Sequence, residues 1–235
     1  MTTARFFLPS GKCVPGIDVA QMRAVDRSMI EDFHIELPQM MENAGRNLAD
    51  LTQSLFLPRS ATVLVGPGGN GGGGLVAARH LHNRGIDVTV TVASRSVSSV
   101  TAHQLDIVER LGIEVREEPT PADVVIDSLI GYGLSGDPSG RFAELINWAN
   151  ATSTPVLALD TPSGLDLTAG AAARPCVQAV ATMTLALPKV GLARVVNAGA
   201  LYLADISVPP SLFVAMGLEV PVIFKSGSVV AVRDG

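Results

Sequence analysis

The sequence predicts an α/β fold built on a mostly parallel central sheet, and three observations carry that reading. Short apolar runs alternate with segments of helical period along most of the chain, the pattern of parallel strands joined by helical crossovers. The segment Val63–Leu81 runs from a buried strand through seven glycines in nine residues, Gly66–Gly74, into an apolar helix. The chain has 235 residues, 47% hydrophobic and 17% charged, enough to bury one large core, so a single domain spanning residues 1–235 is expected.

The elements follow in order. Ile17 to His34 carries Val19, Met22, Val25, Met29 and Ile30 near helical spacing, with Asp18 placed to cap the start. Leu37 to Phe56 repeats the pattern, and Pro38 suits the first turn of that second helix. Two helices are therefore expected before the first strand, Thr62 to Val65. A helix from near Gly72 to Arg84 comes next, then strand Asp87–Val92, helix Val100–Leu111, a short strand Ile113–Arg116 and strand Val124–Asp127. Helix Arg141–Ala151 leads into strand Pro155–Leu159, and Ala179–Leu187 and Leu201–Ile206 read as two further strands. The tail, Val222–Val232, predicts two short strands around Lys225-Ser226-Gly227 as an edge hairpin.

Composition narrows the function. A net charge of −5 with no Lys/Arg runs argues against a nucleic-acid surface, which needs a concentrated basic footprint. Cys13 and Cys176 are far apart and lack metal-ligand spacing, which indicates neither a disulfide framework nor a zinc site and fits a reducing cytoplasm. Met1–Ile17 has no long apolar region or signal-cleavage site, so no export signal is expected there. The most apolar stretch, Val177–Val196, is interrupted by Pro188, Lys189 and Arg194, which makes it core rather than a membrane span. A small-molecule ligand is expected, with no nucleic acid and no membrane.

The glycine loop is the first candidate site. A helix start offers N–H groups without intrahelical acceptors and the positive end of a dipole, a cradle for phosphate. Each glycine costs roughly 0.5–1 kcal/mol of backbone entropy, so a run of them suggests close backbone approach to a ligand. In an open parallel sheet ligands sit beyond the carboxyl ends of the strands. Two more such ends are informative: Val124–Asp137, containing Asp127, and Leu157–Asp166, containing Asp160 and Ser163. Each aspartate follows an apolar run, where a carboxylate must be solvated, paired or used. Asn70, Asp127 and Ser163 could supply oxygen ligands to a monovalent ion or to Mg²⁺. Alternatively one aspartate, its proton held more tightly, acts as an acid, and either one alone also suits a capping role. Surface or packing roles are expected for His34, His80, His82 and His103. Lys189 reads either as a phosphate partner or as an exposed loop residue, and Met22, Met29, Met40 and Met41 as a dimer face or as core.

These pieces, in this order, resemble the NAD(P)H-hydrate epimerases, the YjeF N-terminal domain family, from about Gly16 to about Pro209. The matching blocks are Ala20–Asp26, Met41–Arg46, Gly66–Gly68 followed by Asn70–Gly72 and Gly74–Leu81, Val125–Asp127, Gly131–Gly133, Asp160–Gly164 and Leu185–Lys189. The resemblance implies a Rossmann-like three-layer α/β/α sandwich, usually dimeric, that interconverts the R and S forms of hydrated NADH and NADPH (NADHX and NADPHX) in metabolite repair. It implies a functional partnership with a separate NAD(P)H-hydrate dehydratase, for which this chain is expected to have no room. It implies one K⁺ per subunit on Asn70, Asp127 and Ser163. Substrate contacts are implied for Gly69, Asn70, Gly71, Gly72 and Gly73, for Gly131, Tyr132, Gly133, Leu134, Ser135, Gly136 and Asp137, and for Asp160.

The chemistry of the hydrate calls for a carboxyl group, and the strand-end position of Asp160 together with the resemblance makes it the catalytic candidate. The hydroxyl sits on a carbon bonded to the ring nitrogen, so nitrogen can expel hydroxide and leave a planar iminium open to water on either face. A nearby carboxyl can protonate the departing hydroxyl and deprotonate incoming water. Two departures matter. The family loop is commonly Asn-Asn-Gly-Gly-Asp-Gly, whereas Gly69 and Gly73 here replace the first asparagine and the aspartate. They point to weakened activity, or alternatively to a nonenzymatic nucleotide sensor or interaction module of the same fold. A third reading, an ordinary NAD(P)-dependent oxidoreductase, rests on the loose Gly66-x-Gly68-x-x-Gly71 match. It lacks a ribose-binding acid at the end of the second strand, where Arg95 stands instead.

Overall fold

The computed structural model describes residues 4–235; the first three residues of the N-terminal stretch read above lie outside it. In chain order the elements are β1 (Arg5–Phe7), β2 (Cys13–Pro15), α1 (Val19–Glu31), α2 (Leu37–Phe56), β3 (Ser60–Val65), α3 (Gly69–Asn83), β4 (Asp87–Val92), α4 (Ser99–Arg110) and β5 (Glu114–Arg116). They continue as β6 (Val124–Ser128), α5 (Gly140–Ala151), β7 (Val156–Leu159), β8 (Leu165–Asp166), β9 (Ala171–Ala172), β10 (Ala181–Leu185), β11 (Ala200–Ala204), α6 (Pro210–Ala215) and β12 (Val229–Asp234).

Ten strands form one sheet in the order β2-β1-β12-β11-β10-β7-β6-β3-β4-β5. From β11 to β5 every neighbouring pair is parallel, while β12, β1 and β2 add antiparallel pairings. The α/β fold with a mostly parallel sheet is therefore as expected. The chain runs outward from β3 through β4 to β5, then returns to β6 on the other side of β3. That reversal opens a crevice at the carboxyl ends of β3 and β6, where open α/β sheets bind ligands.

Alternation along the strands feeds two layers of core. Val63, Val65, Ile126, Leu157, Leu159 and Met183 pack under Leu48, Leu75, Leu81 and Leu105 of α2, α3 and α4. Leu64, Val125, Val156 and Ala158 face the other way, onto Leu145, Ile146 and Ala149 of α5. Met22, Val25 and Met29 of α1 join a third cluster with Phe6, Val14, Leu187, Leu201, Leu203 and Phe213.

Local chemistry explains the helix starts. Asp18 accepts the Gln21 N–H at 2.7 Å while Gln21 Oε1 accepts the Asp18 N–H at 2.9 Å, a reciprocal cap on α1. Pro38 sits in the first turn of α2.

Three expectations are corrected. A hairpin, β1–β2, precedes the two helices; it is anchored on β12, a partner more than two hundred residues downstream that no local pattern could reveal. The tail holds one strand rather than two, and β12 lies between β11 and β1 rather than at an edge. Its antiparallel register on β11 leaves 218–228 as irregular chain. Finally, α3 begins at Gly69, not near Gly72. The glycines inside it serve packing, since a Cβ at Gly71 would overlap the Gly66 carbonyl oxygen and one at Gly74 the Ser128 hydroxyl.

Candidate active site

A cavity of about 720 Å³ opens over the crevice, walled by the start of α3, the loops after β6 and β7, and residues of α1 and α2. Gly69, Asn70, Gly73, Gly131, Tyr132, Gly133, Leu134, Ser135, Asp137 and Asp160 line it. Gly71, Gly72 and Gly136, also expected at the substrate, lie off its wall. Gly72 sits against Met41, whose Sδ would stand 2.8 Å from a Cβ at that position. The anion cradle is shorter than the glycine run suggests. Gly72 N–H already reaches Gly68 oxygen at 3.2 Å, so the N–H groups of Gly69, Asn70 and Gly71 are those that precede the helical ladder.

Asp160 closes β7 in the left-handed region, at φ 66°, a conformation aspartate tolerates better than most residues. Its N–H still joins the sheet through Met183 oxygen at 2.7 Å, while its side chain turns to the cavity wall. There Oδ1 meets Lys189 Nζ at 2.5 Å, a pair in which lysine and aspartate side chains are 1% and 5% exposed. Lys189 also donates to Leu185 oxygen at 2.8 Å and Thr184 Oγ1 at 3.3 Å, which satisfies all three of its protons. Lys189 is thus neither an exposed loop residue nor free for a phosphate. Parallel pairing of β7 with β10 brings the two strand ends together, and the Lys189 segment pairs in turn with Ile17 at the entry to α1.

Asp127 and Ser163 lie beneath the cavity and are fully buried. Ser163 Oγ donates to Asp127 Oδ1 at 2.6 Å and Ser163 N–H to Oδ2 at 2.7 Å, with Leu129 N–H on Oδ1 at 3.2 Å. Burial pushes the Asp127 carboxyl up to about 6 despite these three hydrogen bonds, because among the described residues no Lys, Arg or His pairs with it. Asn70 Nδ2 is buried without a hydrogen-bond partner among the described residues. Ile130 N–H reaches Ser163 Oγ at 2.8 Å, and a Cβ at Gly131 would lie 3.3 Å from Asn70 Oδ1, so one short backbone segment links all three polar residues.

One participant, Asp26, carried no assigned role in the sequence. Tyr132 Oη donates to Asp26 Oδ2 at 2.5 Å, and both residues line the cavity. Burial is the main cause that raises the Asp26 carboxyl above its ordinary value, with Tyr132 and Lys189 working against it; burial and Asp26 raise the Tyr132 phenol. The signal for Asp26 was available, because Met22, Val25, Asp26 and Met29 form one i, i+3, i+4, i+7 stripe and one member is an acid. The methionines are core: all four are buried, and Met22, Met40 and Met41 line the cavity.

Residues 37–191 match the family model described as YjeF-related protein N-terminus. The chain belongs to this family. A relative from Dehalogenimonas lykanthroporepellens, named NAD(P)H-hydrate epimerase, is 44% identical over 224 residues, which cover 92% of this chain and 91% of the relative. One of the same name from Rhodopirellula baltica is 33% identical over 212 residues, covering 85% and 87%. The chain also matches a bifunctional NAD(P)H-hydrate repair enzyme Nnr from Salinibacter ruber, 36% identical, but spans only 42% of its length. The crystal structure of yeast ynu0, YNL200c, shares the fold with a TM-score of 0.81 over 92% of this chain and 99% of that one, at 19% identity.

Within this YjeF-related domain the two loop departures have different settings. A side chain at Gly69 would find open space, with Met41 Cε 3.8 Å away, whereas a Cβ at Gly73 would stand 2.9 Å from Leu159 Cδ2. The histidines take packing or surface positions; His80 Nε2 lies 2.8 Å from Glu42 Oε1 across α2 and α3. Arg95 pairs with Glu109 at 3.1 Å on the surface. Among the described residues no helix is long and apolar enough to cross a membrane.

Proposed function

We infer that this protein is an NAD(P)H-hydrate epimerase, an isomerase that interconverts the R and S forms of NADHX and NADPHX. The observation that carries the mechanism is the position of Asp160. Its carboxyl lies on the wall of a dinucleotide-sized cavity, beside the start of α3, with Lys189 fixed to one oxygen. The N–H groups of Gly69 and Asn70, on the cavity wall and ahead of the helical ladder, suit a phosphate of the dinucleotide. Asp160 Oδ2, which accepts no hydrogen bond from a described residue, is the oxygen available to the substrate hydroxyl. The Lys189–Asp160 pair holds the proton, and its delivery through Asp160 to that hydroxyl lets the ring nitrogen expel water and leaves a carboxylate, still hydrogen-bonded to Lys189, facing the iminium. Return of a water to the ring carbon, with its proton taken back by a carboxylate, completes the exchange.

Asn70, Asp127 and Ser163 fit a potassium ion. A fully buried carboxylate that has no cationic partner among the described residues is relieved by a cation, and all three residues offer oxygen. Bound K⁺ would compensate Asp127 and add positive charge near the start of α3. We further propose a homodimer that works in the cytoplasm beside a separate NAD(P)H-hydrate dehydratase. Two free cysteines suit a reducing compartment, and the bifunctional name of the Salinibacter relative suits a repair partnership.

The test is conversion of purified R-NADHX and R-NADPHX, followed by HPLC at several protein concentrations with the spontaneous rate subtracted. A rate proportional to protein is expected. No conversion above background, in a folded protein that binds the nucleotide, overturns the epimerase reading in favour of a nonenzymatic nucleotide sensor.

A further inference from the structure

Epimerisation at the hydrated carbon poses a problem that one carboxyl does not solve. The hydroxyl leaves from one face of the nicotinamide ring and water must add to the other. A proton donor or acceptor works within about 2.6–3.2 Å of the oxygen it serves, and a side chain locked in an ion pair serves one face. Asp160 is so locked, by Lys189. A second acid–base group is required, at the same cavity but on a different element.

Three carboxylates line the cavity: Asp26, Asp137 and Asp160. Asp137 is exposed, and its Oδ1 accepts the Arg174 N–H at 3.1 Å, which places it at the solvent side. Asp26 is half-buried on α1, among Met22, Ile30 and Tyr132. Tyr132 Oη, 2.5 Å from Oδ2, fixes its orientation, and among the described residues Oδ1 has no hydrogen-bond donor. Pairing of Ile17 with the Lys189 segment draws α1 over the same end of the sheet. Asp160 therefore enters from the end of β7 and Asp26 from the helix.

We propose that Asp26, oriented by Tyr132, is the second acid–base group of the site and serves the ring face opposite to that served by Asp160. This rests on the epimerase reading above. In the forward direction one carboxyl gives its proton to the departing hydroxyl, the C–O bond breaks with the ring nitrogen supplying the electron pair, and water is released. Solvent water then forms a C–O bond on the other face and gives its proton to the second carboxylate, so substrate and product are isomers and one oxygen has exchanged with solvent. Burial, which raises the Asp26 carboxyl, favours its proton-carrying form and so suits the role.

The oxygen exchange supplies the test. With each pure epimer in H₂¹⁸O, wild-type protein is expected to incorporate label and epimerise at comparable rates. In Asp26→Asn, epimerisation is expected to fall at least about 100-fold, while for one of the two epimers the ratio of label incorporation to epimerisation rises at least tenfold. Asp160→Asn should show the same rise for the other epimer. A purely structural role for Asp26 lowers both rates by one factor and leaves the ratio fixed, which overturns the proposal, as does an unaffected epimerisation rate. If Asp26→Asn does not fold, Tyr132→Phe carries the test, and an unchanged ratio there overturns it. Absence of protein-dependent exchange in the wild type is the distinct failure of the epimerase reading itself.

Discussion

Lys189 Nζ lies 2.5 Å from Asp160 Oδ1, a pair almost wholly buried although its members are 29 residues apart in the chain. Two charges withdrawn from water must satisfy each other completely, so removal of either leaves the other stranded. Lys189→Met is therefore expected to destabilise the fold by about 3–5 kcal/mol, the range found when one partner of a buried pair is deleted. Urea unfolding measures it; a loss below about 1 kcal/mol would show that the pair is hydrated.

Asp160→Asn keeps shape and much of the hydrogen bonding but cannot carry the proton, and it leaves the Lys189 charge without its partner, so a loss of stability is expected beside the loss of turnover. Epimer conversion should drop by roughly two to four orders of magnitude, while nucleotide binding, followed by calorimetry, changes far less. Turnover equal to wild type in a folded Asp160→Asn protein would remove Asp160 from the chemistry.

Potassium binding should appear as stabilisation. A ligand that binds only the native state adds about 2.7 kcal/mol at a hundred times its dissociation constant, so the melting temperature should climb with K⁺ and not with N-methylglucamine at equal ionic strength. Asn70 Nδ2 makes no hydrogen bond among the described residues, so Asn70→Ala should fold normally yet lose the K⁺ response. An identical response in that variant would place the ion elsewhere.

The two glycine departures should separate experimentally. Gly69→Asn enters open space and is expected to fold; one charge-assisted hydrogen bond regained to a substrate phosphate is worth roughly 1.5–3 kcal/mol, or one to two decades in kcat/KM. Gly73→Asp places its Cβ 2.9 Å from Leu159 Cδ2 and should cost about 1–3 kcal/mol through crowding. The added substitution Leu159→Val should return most of that stability. No recovery in the double variant would locate the strain in the backbone instead.

Asp26 should leave a mark on stability against pH. Its carboxyl is raised by burial, so between its unfolded and native values the native state binds more protons than the unfolded state, and stability falls as pH rises through that window. Above it the native state carries the full cost of a buried charge. Asp26→Asn removes the titration, so its stability relative to wild type should improve from pH 4 to pH 7 in urea midpoints. A constant difference across that range would mean that Asp26 is solvated.

Much of the fold could be read because its periodic elements are long. The helix Leu37–Phe56 was legible from end to end, through Pro38 and its apolar stripe, and strand Asp87–Val92 through its alternation. The three-residue strands of the N-terminal hairpin have too few residues to show a period, and their hydrogen-bond partner lies at the other end of the chain. In the site, the glycine run marked the crevice but not the helix start, because glycine carries no side chain to signal a period.

By itself the sequence determined the alternation of strands and helices, the position of the glycine-rich turn, and Asp127 and Asp160 at strand ends, since each of these follows from neighbours along the chain. Only the tertiary structure decided that Lys189 neutralises Asp160, that Tyr132 holds Asp26, and that Asp127 lies buried with no counter-charge among the described residues. Those facts depend on parallel registers and on how much water each group loses. Desolvation is a property of everything packed around a charge, and no local stretch of residues contains it.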